Sequence, residues 1–129
     1  MTDHEHATSL LRMGYDDLKA LEGMINSREF FTDEIFGFHA QQAVEKFLKS
    51  WIDSMGERYP FQHDIMILIN QLESLEEDVS GLSSLVDLNP FAVQYRYDVL
   101  DPDEEKLDRN ALLASITELY NRVKNRIES

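Results

Sequence analysis

The chain has no cysteine, only five glycines and three prolines, and little positive charge. Twelve Lys and Arg stand against 25 Asp and Glu, a formal net charge of −13. Without cysteine, disulfides, thiolate metal sites and thiol catalysis are all excluded. The longest unbroken apolar run, Ile65 to Ile69, falls far short of the roughly 20 residues that span a bilayer. The opening Met1-Thr-Asp-His-Glu-His6 is acidic where a secretory signal would be basic, so a cytoplasmic location is expected. An acidic surface repels phosphate backbones, which argues against general DNA binding and leaves room only for a small local basic site. The glycines are scattered, so no phosphate-cradling loop exists, and no Glu-x-x-His pair is present. Neither a metal nor a cofactor is expected.

What the chain does have is apolar content, 43% of its 129 residues. That is too much for a disordered acidic tail and enough for one domain, here residues 1–129 with about the first seven expected to flex. The spacing predicts an all-α fold, an antiparallel up-and-down bundle of four to five helices. A first helix is expected over about His6 to Asn26, with Leu11, Tyr15, Leu18, Leu21 and Ile25 as its stripe. His4 and His6 lie where no helical period supports them. A longer central helix is expected from Asp33 to Met55, capped by Thr32 and closed by Gly56. A third is expected over His63 to Glu76, then a short fourth using Leu82, Leu85, Val86 and Leu88. Pro90 should break or kink it, leaving Phe91 to Tyr97 as a separate turn. Asp101-Pro102-Asp103-Glu104 reads as the cap and first turn of the last helix. Its stripe is Leu107, Ala111, Leu112, Ile116, Leu119, Val123 and Ile127.

Gln41, Glu45, Lys49 and Asp53 fall four apart on the central helix and are expected to form a polar stripe opposite the core. Glu45 precedes Lys49 in the orientation that favours a helical ion pair. His63 is expected at a helix N-terminus, where the dipole favours the neutral imidazole a general base needs. His39 borders the apolar face and is expected to be a hydrogen-bonded packing or interface residue rather than a ligand. Trp51, Phe30, Phe31, Phe91, Tyr95 and Tyr97 are many for a small bundle, and any left at the surface would mark an interface.

The stretch Phe38-His-Ala-Gln-Gln-Ala-Val-Glu-Lys-Phe-Leu-Lys-Ser-Trp51 resembles the signature helix of HEPN domains, the higher-eukaryote and prokaryote nucleotide-binding family. Tyr59-Pro-Phe-Gln-His-Asp-Ile65 is similar to that family's approach to its next helix. Tyr95-Arg-Tyr-Asp98 is similar to the element before its final one. The resemblance implies a homodimer with a cleft for nucleotide or RNA, often partnered by a minimal nucleotidyltransferase in a toxin–antitoxin-type pair. Its implied phosphate-binding set here is Lys46, Lys49, His63 and Arg96.

Ribonuclease members of the family carry Arg-x4–6-His, which Arg58 and His63 fit formally. The Arg that aligns with the family's motif is instead Arg96. No His follows it, and Asp98, Asp101 and Asp103 would repel RNA there. A non-catalytic binding or partner subunit is therefore expected. The alternative is a metal-independent endoribonuclease using Arg58 or Arg96 with His63, and a further one is an acidic helical adaptor.

Overall fold

A computed structural model describes residues 3–61, 63–92 and 107–129. Four α-helices and one 3-10 segment make up the described chain, with no strand among the described residues. The all-α class expected from the spacing is therefore the observed one.

Helix α1 runs Asp3–Met24 and starts three residues ahead of the expected His6. Its first turns carried no apolar period because the inward positions are Ala7, which is fully buried, and the half-buried His6. Farther along, Leu11, Leu18, Leu21 and Met24 sink into the core.

Helix α2, Asp33–Ser54, starts as its sequence requires: the Thr32 hydroxyl accepts from the Ile35 N–H, and Asp33 and Glu34 occupy the first turn. Gly56, at φ 76°, takes the left-handed conformation that ends it. Phe36, Ala40, Val44, Phe47, Leu48 and Ile52 are all fully buried, which makes α2 the central element.

Helix α3, Ile65–Ser74, is shorter than expected at both ends. Asp64 caps it by accepting from the Met66 N–H, and Asn89 takes the Ile65 N–H (2.9 Å), so His63 stands outside the helix. At the other end Glu76 adopts φ 65°, which no helix continues.

The segment after it is a 3-10 helix, Ser83–Ala92, and Pro90 lies inside it without ending it. This corrects the expected break at Pro90. The physical reason is visible in the spacing: Leu82, Leu85, Leu88 and Phe91 recur at intervals of three and are all buried. A 3-10 helix places every third residue on one line, and an α-helix does not. The expected turn beyond Ala92 and the expected cap at Asp101-Pro102 lie outside the described residues. Leu107 and Asp108 are not helical, so no single helix runs from Asp101 through α4. Helix α4 spans Arg109–Glu128, with the Asp108 carboxylate accepting from the Ala111 N–H. Ile116, Leu119 and Val123 form its buried stripe, whereas Ala111, expected on that stripe, is exposed.

Residue pairings give the directions. The Ser50 hydroxyl meets the Ala7 carbonyl and Lys46 meets Asp17, so α1 and α2 are antiparallel. Asp33 meets Arg109 and Phe47 meets Tyr120, so α4 runs alongside α2 in the same direction. The returns between α2, α3 and α4 are made by the extended link after Gly56 and by the 3-10 segment. Of the aromatic residues in question, Trp51 and Phe91 are in the core, whereas Phe30 is 74% exposed and Phe31 lies at the surface. Tyr95 and Tyr97 fall outside the described residues.

The Phe91 ring lies on Gly37, where an added Cβ would come 2.4 Å from its Cδ1. Gly37→Ala is therefore expected to destabilise by about 1–3 kcal/mol through overpacking. Gly23→Ala on α1, where nothing lies within 4 Å, should instead stabilise by up to about 1 kcal/mol through helix propensity. Urea unfolding of the two variants should give shifts of opposite sign.

Candidate functional site

The polar stripe of α2 is where the structure departs most from expectation. It is not a solvated face: Gln41 is fully buried, Glu45 is 5% exposed and Asp53 is 8% exposed. The extended link carrying Tyr59 and Pro60 folds back along α2 and covers it. Periodicity places residues on faces but does not say what later covers a face.

Glu45 is the centre of this covered row. Its Oε1 accepts from the Lys49 ammonium at 2.6 Å and lies 2.8 Å from His63 Nδ1. Its Oε2 accepts from Gln41 Nε2 at 2.8 Å. Burial alone would raise the Glu45 carboxyl, but the hydrogen bonds from Lys49, Gln41 and His63 and the Lys49 charge outweigh it and hold it below its ordinary value. Gln41 Nε2 also donates to the His63 carbonyl (3.2 Å), and its own carbonyl accepts from Gln42 Nε2 (2.8 Å). The backbone and the ring of His63 are thus both anchored to α2, although its side chain is 72% exposed. Glu45, rather than a helix dipole, sets the environment of this imidazole.

The row continues toward the C-terminal end of α2, where it meets His6 of α1. The Tyr59 ring lies under Lys49, with the ammonium 5.2 Å from the ring centroid. A hydrogen bond of 2.8 Å joins the Tyr59 hydroxyl to His6 Nε2, and the two rings stack. His6 Nε2 is 3.8 Å from Asp53 Oδ2. Burial, and next the Asp53 carboxylate, push the Tyr59 hydroxyl above its ordinary value, so it keeps its proton at neutral pH.

The site set expected from sequence is therefore divided. Lys49 and His63 meet on Glu45. Lys46, three residues before Lys49, reaches the other way and binds Asp17 at 2.6 Å. The same Asp17 takes His39 Nδ1 at 3.2 Å, the hydrogen-bonded packing role expected of His39. Arg58 is exposed, and its backbone carbonyl accepts from Gln71. Arg96 lies outside the described residues. Among the described residues no group of three or more His, Asp or Glu is arranged to hold a metal.

Two polar assemblies escaped the sequence reading, and both are built from distant partners. Arg109, 2% exposed, ties the start of α4 to Asp33 at the start of α2. At the opposite end of the bundle Arg122 lies over the Trp51 ring (4.9 Å) and donates to the Asp78 carbonyl, while Glu77 joins Trp51 Nε1 (2.8 Å) to Arg126 (2.7 Å). These arginines tie elements of the scaffold to one another.

The stretch Phe38 to Trp51 that carries the resemblance lies within α2, and Tyr59 and His63 lie on the link between α2 and α3. The sequence model described as HEPN domain matches residues 7–126, nearly the whole chain. The chain belongs to the HEPN domain family. No curated protein and no solved structure gives a match. Among the described residues, no helix is long and apolar enough to cross a membrane.

Proposed function

We propose that the chain is a non-catalytic HEPN subunit, a homodimer that binds nucleotide or an RNA end at His63 and Lys49 and partners a nucleotidyltransferase in a toxin–antitoxin-type pair. The observation that carries this is His63, an exposed side chain whose ring and backbone are both held by buried polar groups of α2. A solvated surface histidine needs no such support. Lys46 is paired with Asp17, and the reading rests on Lys49 and His63, which meet on Glu45. A charge of −13 favours a basic protein partner over long nucleic acid, with charge steering encounter more than fixing affinity.

Light scattering should give a dimer. Calorimetry should show nucleotide binding that weakens at least about tenfold, or 1.4 kcal/mol, in His63→Ala, with capture of a coexpressed nucleotidyltransferase unaffected by that change. A monomer that binds neither nucleotide nor nucleotidyltransferase would sink the proposal. The second reading, a metal-independent endoribonuclease, draws on the same histidine held by a carboxylate, an arrangement common to proton-transfer sites. It requires RNA cleavage that vanishes in His63→Ala.

A further inference from the structure

The geometry points to Glu45 as a positioning residue: seated by Gln41 and Lys49, it holds the neutral form of His63 as the Nδ1–H tautomer, with Nε2 the bare nitrogen of an exposed ring. An ionised carboxylate can only accept hydrogen bonds. Glu45 already accepts from Lys49 and Gln41, so the proton shared with His63 at 2.8 Å must come from Nδ1. A neutral imidazole carries one N–H, and which nitrogen bears it is set by the bond the other makes. Nε2 is then a lone pair presented outward. Gln41 prevents the pair from drifting apart, because one amide bridges the Glu45 carboxylate and the His63 carbonyl.

This fixes the chemistry of what the neutral His63 ring takes. A bare Nε2 accepts a proton or a hydrogen bond and does not attract an anion. Its ligand is therefore a hydrogen-bond donor, and for a nucleotide we assign it to a ribose hydroxyl rather than to a phosphate. The ligand class rests on the nucleotide-binding reading above, whereas the tautomer does not.

Long-range 1H–15N correlation spectra of the full chain, taken above the imidazole range at about pH 8, test the first part directly. Wild type should show the His63 proton on Nδ1, with the resonance assigned by its loss in His63→Gln. In Glu45→Gln the spectrum should move to a mixture or to Nε2–H, because an amide can donate as well as accept. A proton on Nε2 in the wild type overturns the proposal, whether or not Glu45→Gln folds. Titration then tests the ligand class. Adenosine monophosphate should move the Nε2 resonance, whereas its 2′,3′-dideoxy analogue and inorganic phosphate should not. An equal response to all three overturns the hydroxyl assignment. Silence toward adenosine monophosphate with the Nδ1–H form intact overturns the ligand class and the nucleotide reading together, while the positioning role stands.

Discussion

Replacing Arg109 with alanine is expected to destabilise the fold by about 3–5 kcal/mol, the range for removing one partner from a buried charge pair. The Arg109 side chain is 2% exposed. Nε and Nη2 bond Asp33 Oδ1 at 3.0 and 2.9 Å, Nη1 donates to the Met24 carbonyl at 3.1 Å, and Nη2 also donates to the Phe31 carbonyl. Its plane lies 4.9 Å from the Phe36 ring centroid. Alanine would take the guanidinium from the Phe31 carbonyl, leave the Met24 carbonyl with the Ser27 N–H alone, and leave Asp33, among the described residues, with Arg28 and the Leu107 N–H. Arg109→Lys should recover less than half of the loss, because an ammonium cannot reach three acceptors in one plane or stack on Phe36. Urea midpoints with unchanged slope measure this directly. A loss under about 1 kcal/mol, the scale of an exposed ion pair, would show the pair to be incidental.

That pair also marks the limit of what a single sequence discloses. The helices α1, α2 and α3 were legible because their apolar residues recur at threes and fours, and Thr32 and Gly56 are local signals for the ends of α2. The intervals of three from Leu82 to Phe91 are equally visible in the sequence, but Pro90 signals a break in an α-helix and carries no sign that the segment is a 3-10 one. The final helix was misplaced for a related reason. A capping signature at Asp101 is complete in itself, whereas the observed cap at Asp108 gains its force from Arg109 and Asp33, which are distant in sequence.

The candidate site was legible by residue type and not by partner. His63, Lys49 and Glu45 could all be picked out, and the i, i+4 bond from Lys49 to Glu45 was foreseen. No spacing rule says that an extended link will lie across a helix face and turn a polar stripe inward. A stripe reading Gln, Glu, Lys, Asp opposite an apolar one is the same string whether water or Tyr59 covers it.

Glu45 makes that difference measurable. Glu45→Ala is expected to cost about 3 kcal/mol, the lower end for a broken buried pair, since Lys49 can turn its ammonium toward water. The double change Glu45→Leu with Lys49→Leu should cost less than Glu45→Ala alone, because it removes both charges and leaves neither stranded. The acid limb carries a second signature. With the Glu45 carboxyl held below its ordinary 4.5 in the folded chain, the unfolded chain binds the proton first as pH falls. The stabilisation is therefore complete above that ordinary value and is lost as pH drops through the folded one. Urea midpoints taken from about pH 6 to about pH 3 should fall more steeply for the wild type than for Glu45→Gln, which has no proton to gain there. Parallel curves would mean that the carboxylate gains nothing from its partners on folding. His63 would then be an ordinary surface imidazole, and the case for a site at this edge of α2 would fall with it.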